Sequence, residues 1–469
     1  MKKYLFTIII ILFSLLYAYS QQLLEENELV AAKEYNSIED ALKNPEDVYK
    51  LNLSNRNLSE FPEDVFTLRK LQVLDLSNNK IIDIPARIAE LPNLQYLEVT
   101  NNALKAIPKE LGELKNLIML NLEGNKIEYF PESSCSITTL ENLNLRNNLL
   151  ERLPDSIGGL TGLINLDLSY NKIDELPSSF GDLKRLQTVD FTSNNLVELP
   201  PEIGKLKNIL IFDIKKNDLI EITPEISNLS QIPYLNFANN ELREVPHEIG
   251  KMKRLQMLNL SGNELSNLPD EIGSLKNLYE LILSNNKLSK LNPKIGDLRG
   301  LLVLILKKNG LSALPPEIGK LKALKHLDIS ANILSELPKE FGKLKALQKL
   351  NLNKNQLKQL PKTIGGLSHL KVLSINYNSL TSLPREFGSL KRLEELDLSK
   401  NKLTELPKEF GKLKRIKRID LQKNKLTTLP QQIQNFDELE YFNLKYNKLS
   451  EDEKTKIKSL ISEYVKLKL

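Results

Sequence analysis

Apolar residues return along this chain in one fixed order. In Leu71-Gln72-Val73-Leu74-Asp75-Leu76-Ser77-Asn78-Asn79-Lys80-Ile81, leucine or another aliphatic residue fills the first, fourth, sixth and eleventh slots. A shift of 23 residues places Leu94, Leu97, Val99, Asn102 and Leu104 in the corresponding slots. The register runs from Val48 to Ile461 without insertion or deletion, 414 residues in 18 units of 23. The unit reads LxxLxLxxNxLxxLPxxIGxLxx.

Each stretch of that unit predicts an element. Slots 4 and 6 are apolar and alternate with polar slots 5 and 7, the period of a short half-buried strand. Stacking the units would pair these strands into one parallel sheet, about 4.8 Å apart, with slots 2, 3, 5, 7 and 8 on its concave face. Slot 9 is Asn in 17 of 18 units, and its amide can satisfy backbone groups where the chain leaves the strand. Slot 15 is Pro in fifteen units, which fixes an extended φ before a return segment expected to be irregular or a 3₁₀ turn. Gly at slot 19 suits a tight turn there. A fixed period of 20–29 residues with this pattern signals an α/β repeat fold, a leucine-rich-repeat solenoid or horseshoe.

The ends of a solenoid need caps. Ser37-Ile38-Glu39-Asp40 can start a short helix over the first repeat, whose Asn slot holds Arg56. Ser450-Glu451-Asp452-Glu453 reads as a capping box, with Ile457, Leu460, Ile461 and Tyr464 following at helical spacing. The expected division is a signal peptide over 1–20, a linker and helical cap over 21–47, the repeats over 48–461 and a capping helix over 450–469. The leader rests on Lys2 and Lys3, the apolar run Leu5 to Leu16, and the small-x-small site Ala18-Tyr19-Ser20. That run is too short to span a bilayer, so the mature chain is expected to be exported, secreted or held at the cell surface, without a transmembrane span.

Composition narrows the chemistry. The 469 residues carry 65 Lys and Arg against 60 Asp and Glu, which argues against nucleic-acid binding. One Cys, Cys135, excludes an internal disulfide, and three scattered His make a zinc site improbable. His326 and Asp328 share a strand face, but His247 and His369 lie in other slots, so no catalytic triad is expected to converge. Slot 5 stacks Asp167, Asp190 and Asp213; the stack suits a hard cation such as Ca²⁺, but three carboxylates are fewer ligands than that ion takes, and the consensus preference for Asp or Asn explains them. No metal, cofactor or catalytic residue is expected. The Lys column at slot 22 is matched by a Glu column at slot 17, a mixed-charge convex surface.

The repeat resembles the 23-residue leucine-rich repeats of exported bacterial proteins, notably those of pathogenic spirochaetes. It is similar also to the repeats of Ras-pathway scaffolds and of plant intracellular Ras-group leucine-rich-repeat proteins. The resemblance covers 48–461 and implies non-enzymatic protein–protein binding through the concave face, in the bacterial case with host proteins. Some bacterial relatives carry a C-terminal catalytic domain; here eight residues follow the last repeat. The alternatives are a structural or self-assembling envelope component, or an intracellular-type scaffold were the leader not a signal peptide.

Function in such an array should lie in letters that do not repeat. Repeats 2–7 present Asp75, Glu98, Glu123, Glu141, Asp167 and Asp190 against Arg146. Repeats 13–18 present Lys325, Lys349, Lys354, Lys371, Lys400, Lys417, Arg418, Lys423 and Lys445 against six acids. Between them stand Leu210, Ile211, Tyr234, Met257, Tyr279, Ile282, Leu302, Val303 and Ile305, the expected partner-binding residues. Drift in β-propensity explains any one of them, but nine over five adjacent strands point to an interaction patch.

Overall fold

A computed structural model describes residues 23–469, so the proposed signal peptide lies outside the described residues. The described chain forms two units, ending and beginning at Asn217 and Asp218. In each, the strand of every repeat is three residues long and occupies slots 3 to 5, as in Val73–Asp75 and Glu280–Ile282. The middle residue is buried and, apart from the buried Asn443, its two neighbours are half or fully open, which is the period-2 pattern expected of a one-sided sheet.

The first unit begins with helices α1 (Glu26–Ala31) and α2 (Ile38–Ala41), the second capped by Ser37, whose hydroxyl accepts from Asp40 N at 3.2 Å. A short strand, Glu34–Tyr35, pairs in parallel with Lys50–Leu51 and opens a sheet that continues to Ile211–Asp213. Arg56, which replaces the repeated Asn, donates from its guanidinium to Asn36 O at 2.6 Å and ties this cap to the first repeat. The second unit holds a parallel sheet from Tyr234–Asn236 to Tyr441–Asn443, then helix α3 (Glu451–Leu460) and a last strand, Lys466–Lys468. Among the described residues no helix is long and apolar enough to cross a membrane.

The core is made by slots 1, 4, 6, 11, 14, 18 and 21. Leu255, Leu258, Leu260, Leu265, Ile272 and Leu275 are wholly buried, and Leu268 nearly so. Burying such a side chain is worth roughly 1.5–3 kcal/mol, so each repeat contributes a full share of apolar area. The return segments are 3₁₀ turns, most preceded by the slot-15 Pro in extended conformation, as at Pro269 with φ −67°. Where Thr223 and Asn292 replace that Pro, the next residue is Pro224 or Pro293, so the constraint moves by one position. The slot-19 glycines serve close approach more than turn geometry: a Cβ on Gly273 would stand 2.8 Å from Lys294 O of the next repeat.

Two expectations need correction, one at the C-terminal end and one in every repeat. Helix α3 stops at Leu460, and Tyr464 lies beyond it at 90% exposure. The segment Val465-Lys466-Leu467-Lys468 alternates apolar and polar, a strand period, and Lys466–Lys468 joins the sheet beside Tyr441–Asn443. The last strand edge is thereby covered by the chain's own terminus. Slot 8 was also misread as an ordinary sheet-face position. All 18 repeats turn there through positive φ, with Asn285 at 55°, Lys400 at 55°, Tyr377 at 52° and Gly262 at 67° among them. The signal available was its six Asn and two Gly, the residues that enter this region at least cost.

The repeated Asn is the joint between units. Asn263 is 7% exposed. Its Nδ2 donates to Phe237 O of the preceding repeat at 2.9 Å and to Leu260 O of its own at 3.0 Å. Its Oδ1 accepts from Leu242 N at 3.0 Å. Asn125 does the same in the first unit with Val99 O, Leu122 O and Leu104 N. Asn263→Ala orphans the buried Leu242 N–H, while Phe237 O and Leu260 O keep the bonds from Asn240 and Asn286, a loss of about 1–3 kcal/mol for one unsatisfied buried group. Native-state hydrogen exchange should show Leu242 N–H losing at least about fivefold of its protection. A change under threefold would contradict this role.

Candidate functional site

Slot 5 has a structural duty before any functional one. In fourteen repeats its Asp or Asn side chain accepts from the backbone N–H of slot 7, at 2.7–3.3 Å. This local bond is the Asx-turn, and it closes the end of each strand. It accounts for the acidic stack. Asp167 Oδ1 accepts from Ser169 N at 2.9 Å, Asp190 Oδ1 from Thr192 N at 2.7 Å, and Asp213 Oδ1 from Lys215 N at 3.1 Å. Lys215 Nζ lies 2.9 Å from Asp213 Oδ2, so one carboxylate of the three is also neutralised. Among the described residues no group of three or more His, Cys, Asp or Glu is placed to hold a metal ion.

The nine apolar residues fall in both units, and none belongs to the core. In the first unit Leu210 and Ile211 are 45% and 50% exposed, with Ile211 beside Thr188. The other seven lie in the first four repeats of the second unit. Tyr234 pairs in register with Met257, and Tyr279 Oη donates to Tyr234 Oη at 3.4 Å. Glu280 and the slot-5 residues Asn236 and Asn259 interrupt the patch on that side. Tyr279, Ile282, Leu302, Val303 and Ile305 are contiguous: Leu302 N and Val303 N both donate to Tyr279 O, and Ile282 pairs with Ile305. All five are half-buried.

Ile282 and Ile305 are two of the four slot-5 residues that are neither Asp nor Asn. Glu98 is another, and Ser374 is replaced in its duty by Asn353, whose Oδ1 accepts from Asn376 N at 2.8 Å. Isoleucine cannot accept a hydrogen bond, so Ser284 N–H and Lys307 N–H have no slot-5 cap. Two adjacent strand ends give up a local bond, each worth about 1 kcal/mol at a buried site and less in water, for an apolar pair on the open face.

The charged residues sort differently from their sequence grouping. Glu98 has its carboxyl pushed up by burial and by neighbouring Asp75. Arg146 reaches Glu123 and Arg185 reaches Glu141, each at 3.4 Å, so the acidic face of the first unit is partly compensated, by two Arg where one was expected. In the second unit Lys371 pairs with Glu394 at 3.3 Å and Lys417 with Glu438 at 4.0 Å. The three His and Cys135 stand in four different repeats. His326 is half-buried with its pKa lowered, chiefly by burial, His247 Nε2 is 2.9 Å from Glu248, and His369 Nδ1 is 2.8 Å from Lys345 O. Cys135 is buried in a 3₁₀ turn and its thiol is pushed up to about 11 by burial.

Comparison with known proteins agrees with this architecture. A family profile described as a leucine-rich repeat region matches residues 218–288, 318–397 and 362–468, and one described as a leucine rich repeat matches 46–104, 92–150 and 138–196. No curated protein matches. A leucine-rich-repeat protein of Leptospira interrogans has a structure similar over 93% of this chain and 100% of its own, at 34% identity and a TM-score of 0.71. The plant peptide hormone receptor RGFR1, solved in complex with RGF2, matches over 91% of this chain and 79% of its own, at 28% identity and a TM-score of 0.66. The Arabidopsis receptor kinase HAESA, in complex with the peptide hormone IDA and the co-receptor SERK1, matches over 89% and 72%, at 29% identity and a TM-score of 0.68.

Two outcomes are expected here. Calorimetric titration with Ca²⁺ should give no specific binding, because the three carboxylates already cap their own strands; micromolar binding abolished by Asp190→Ala would refute this. Native Cys135 should react with iodoacetamide at pH 8 about a hundredfold more slowly than in the unfolded chain, given a folded pKa about two units above the usual thiol. The neutral thiol stabilises the fold below about pH 9, and that contribution is lost as pH rises through about 11. Equal alkylation rates would show the thiol to be accessible.

Proposed function

We propose, since the chain belongs to the leucine-rich-repeat family, that it is an exported, non-enzymatic recognition protein holding a protein ligand on the open face of its sheet. Its contact centre is Tyr279, Ile282, Leu302, Val303 and Ile305, with Tyr234 and Met257 on one flank. Leu210 and Ile211 of the first unit belong to the same reading. The observation that carries it is the pair Ile282–Ile305, which forgoes two strand-end caps that fourteen other repeats keep. Propensity drift would be expected to keep a residue that can cap. An exposed apolar cluster of this kind more often marks an interaction site than not. The neighbours solved with peptide hormones support protein recognition as the use of such a face, and the leader Lys2 to Ser20 supports export.

The test follows from the caps. Ile282→Asn with Ile305→Asn supplies the missing acceptors, so the melting temperature should stay within about 2 °C of the parent or rise. Binding to the ligand found by pull-down from host or self extracts should fall at least tenfold, since hot-spot side chains contribute about 1 kcal/mol or more each. A variant that melts like the parent and binds like it would place the ligand elsewhere. Capture of nothing but a second copy would favour assembly over recognition.

A further inference from the structure

A second surface of the second unit lies apart from the apolar face, along the edge where the strands end. Slots 7 to 10 of repeats 12–18 are residues 307–310, 330–333, 353–356, 376–379, 399–402, 422–425 and 445–448. These 28 positions hold nine Lys and not one Asp or Glu. The lysines are Lys307, Lys308, Lys354, Lys400, Lys402, Lys423, Lys425, Lys445 and Lys448, and all but Lys400 are exposed. Among the described residues none has a carboxylate partner, whereas Lys371, Lys414 and Lys417 on neighbouring surfaces do. An uncompensated cationic line of this kind is electrostatically incomplete. It raises the local concentration of anions and strengthens as salt is lowered.

The shape and chemistry of the line select among anions. Seven strand ends about 4.8 Å apart span roughly 29 Å, so the edge carries about one positive charge every 3 Å. A densely charged, linear polymer matches that density. A flat anionic membrane does not, because it would also meet Glu394, Glu395, Asp397 and Glu440 on the adjoining sheet face. Single-stranded nucleic acid needs aromatic faces on which to stack. The edge offers two tyrosines over seven strand ends: Tyr377 lies between Lys400 Nζ at 3.7 Å and Lys354 Nζ at 5.9 Å from its ring centre, which leaves the exposed Tyr446, with Lys423 Nζ at 5.5 Å, as one isolated stacking face. The spaces between lysines hold Asn353, Gln356, Ser379, Ser399 and Gln422, hydroxyl and amide groups suited to sugar hydroxyls, and form no apolar pocket for a peptide side chain. The edge has no Arg, hence no planar fork for carboxylate geometry. We propose that this edge binds a linear, densely sulfated polysaccharide.

The probe is a heparin oligosaccharide, bound to the full mature chain and followed by titration at several salt concentrations. Micromolar or tighter binding at 0.15 M salt, weakening steeply as salt rises, is expected. The variant Lys400→Gln, Lys402→Gln, Lys423→Gln, Lys425→Gln should bind at least tenfold more weakly. A control with the same charge loss on the return segments, Lys339→Gln, Lys362→Gln, Lys408→Gln, Lys412→Gln, should change affinity less than threefold. Both variants should melt within a few degrees of the parent, since all these side chains except the half-buried Lys400 are exposed. Equal losses in the two variants would reduce the effect to net charge and overturn the proposal. So would equal or tighter binding, with the same lysine dependence, of poly-glutamate, of single-stranded oligonucleotide, of phosphatidylserine vesicles or of the sparsely charged hyaluronate. The Ile282→Asn, Ile305→Asn pair should leave heparin binding intact.

Discussion

The buried slot-9 asparagine sets the terms for the rest of the chain. Each one bonds to backbone groups of its own repeat and of the repeat before, as Asn171 does with Leu168 O, Leu145 O and Leu150 N. Only a side chain with both donor and acceptor can do this, and only at one place in the unit. A repeat of different length would put its Asn out of reach of the previous carbonyl. The unbroken period of 23 is therefore a hydrogen-bonding requirement as much as a packing one. Stability accrues between neighbours, in the manner of a one-dimensional array.

The slot-5 cap is a second and weaker requirement of the same kind. It binds one amide within its own repeat, at a strand end that water can reach, so losing it costs less than losing a slot-9 Asn. That difference in cost divides the sequence. Positions whose side chains complete buried backbone bonds cannot vary. Positions that complete solvent-accessible ones can be traded, and the trade at Ile282 and Ile305 yields apolar surface where the array elsewhere is polar.

How much of this was legible in the sequence follows from the same division. The apolar slots, the Asn column, the Pro-led 3₁₀ returns and the starts of both end helices follow from periodicity, and the structure has them. The acidic stack was legible as consensus, though its bond to slot 7 was not. The left-handed turn at slot 8 was hidden because Lys, Tyr, Ser and Ala occupy it alongside Asn and Gly. In those repeats the surrounding bonds impose a conformation the residue does not itself prefer. The strand Lys466–Lys468 was masked by a helical spacing that ran on by chance through Tyr464. Charge partners such as Arg185 with Glu141 come from different slots of adjacent repeats, 44 residues apart, a distance no single-repeat pattern encodes.

The slot-8 turn also bears on where charge can gather. A residue held at positive φ points its side chain away from the sheet and toward the edge, beyond the reach of the acids in slots 2 and 3. Lysines there meet their counterparts in the repeats before and after, and a tyrosine between two of them takes both ammonium groups onto its ring, as Tyr377 does. Two lysines of the sheet face, Lys371 and Lys417, sit within reach of Glu394 and Glu438. The slot-8 turn thus carries four of the nine edge lysines, Lys308, Lys354, Lys400 and Lys423, away from a sheet face that holds both signs of charge. An array of identical units can in this way carry two chemically different surfaces without any change in its repeat.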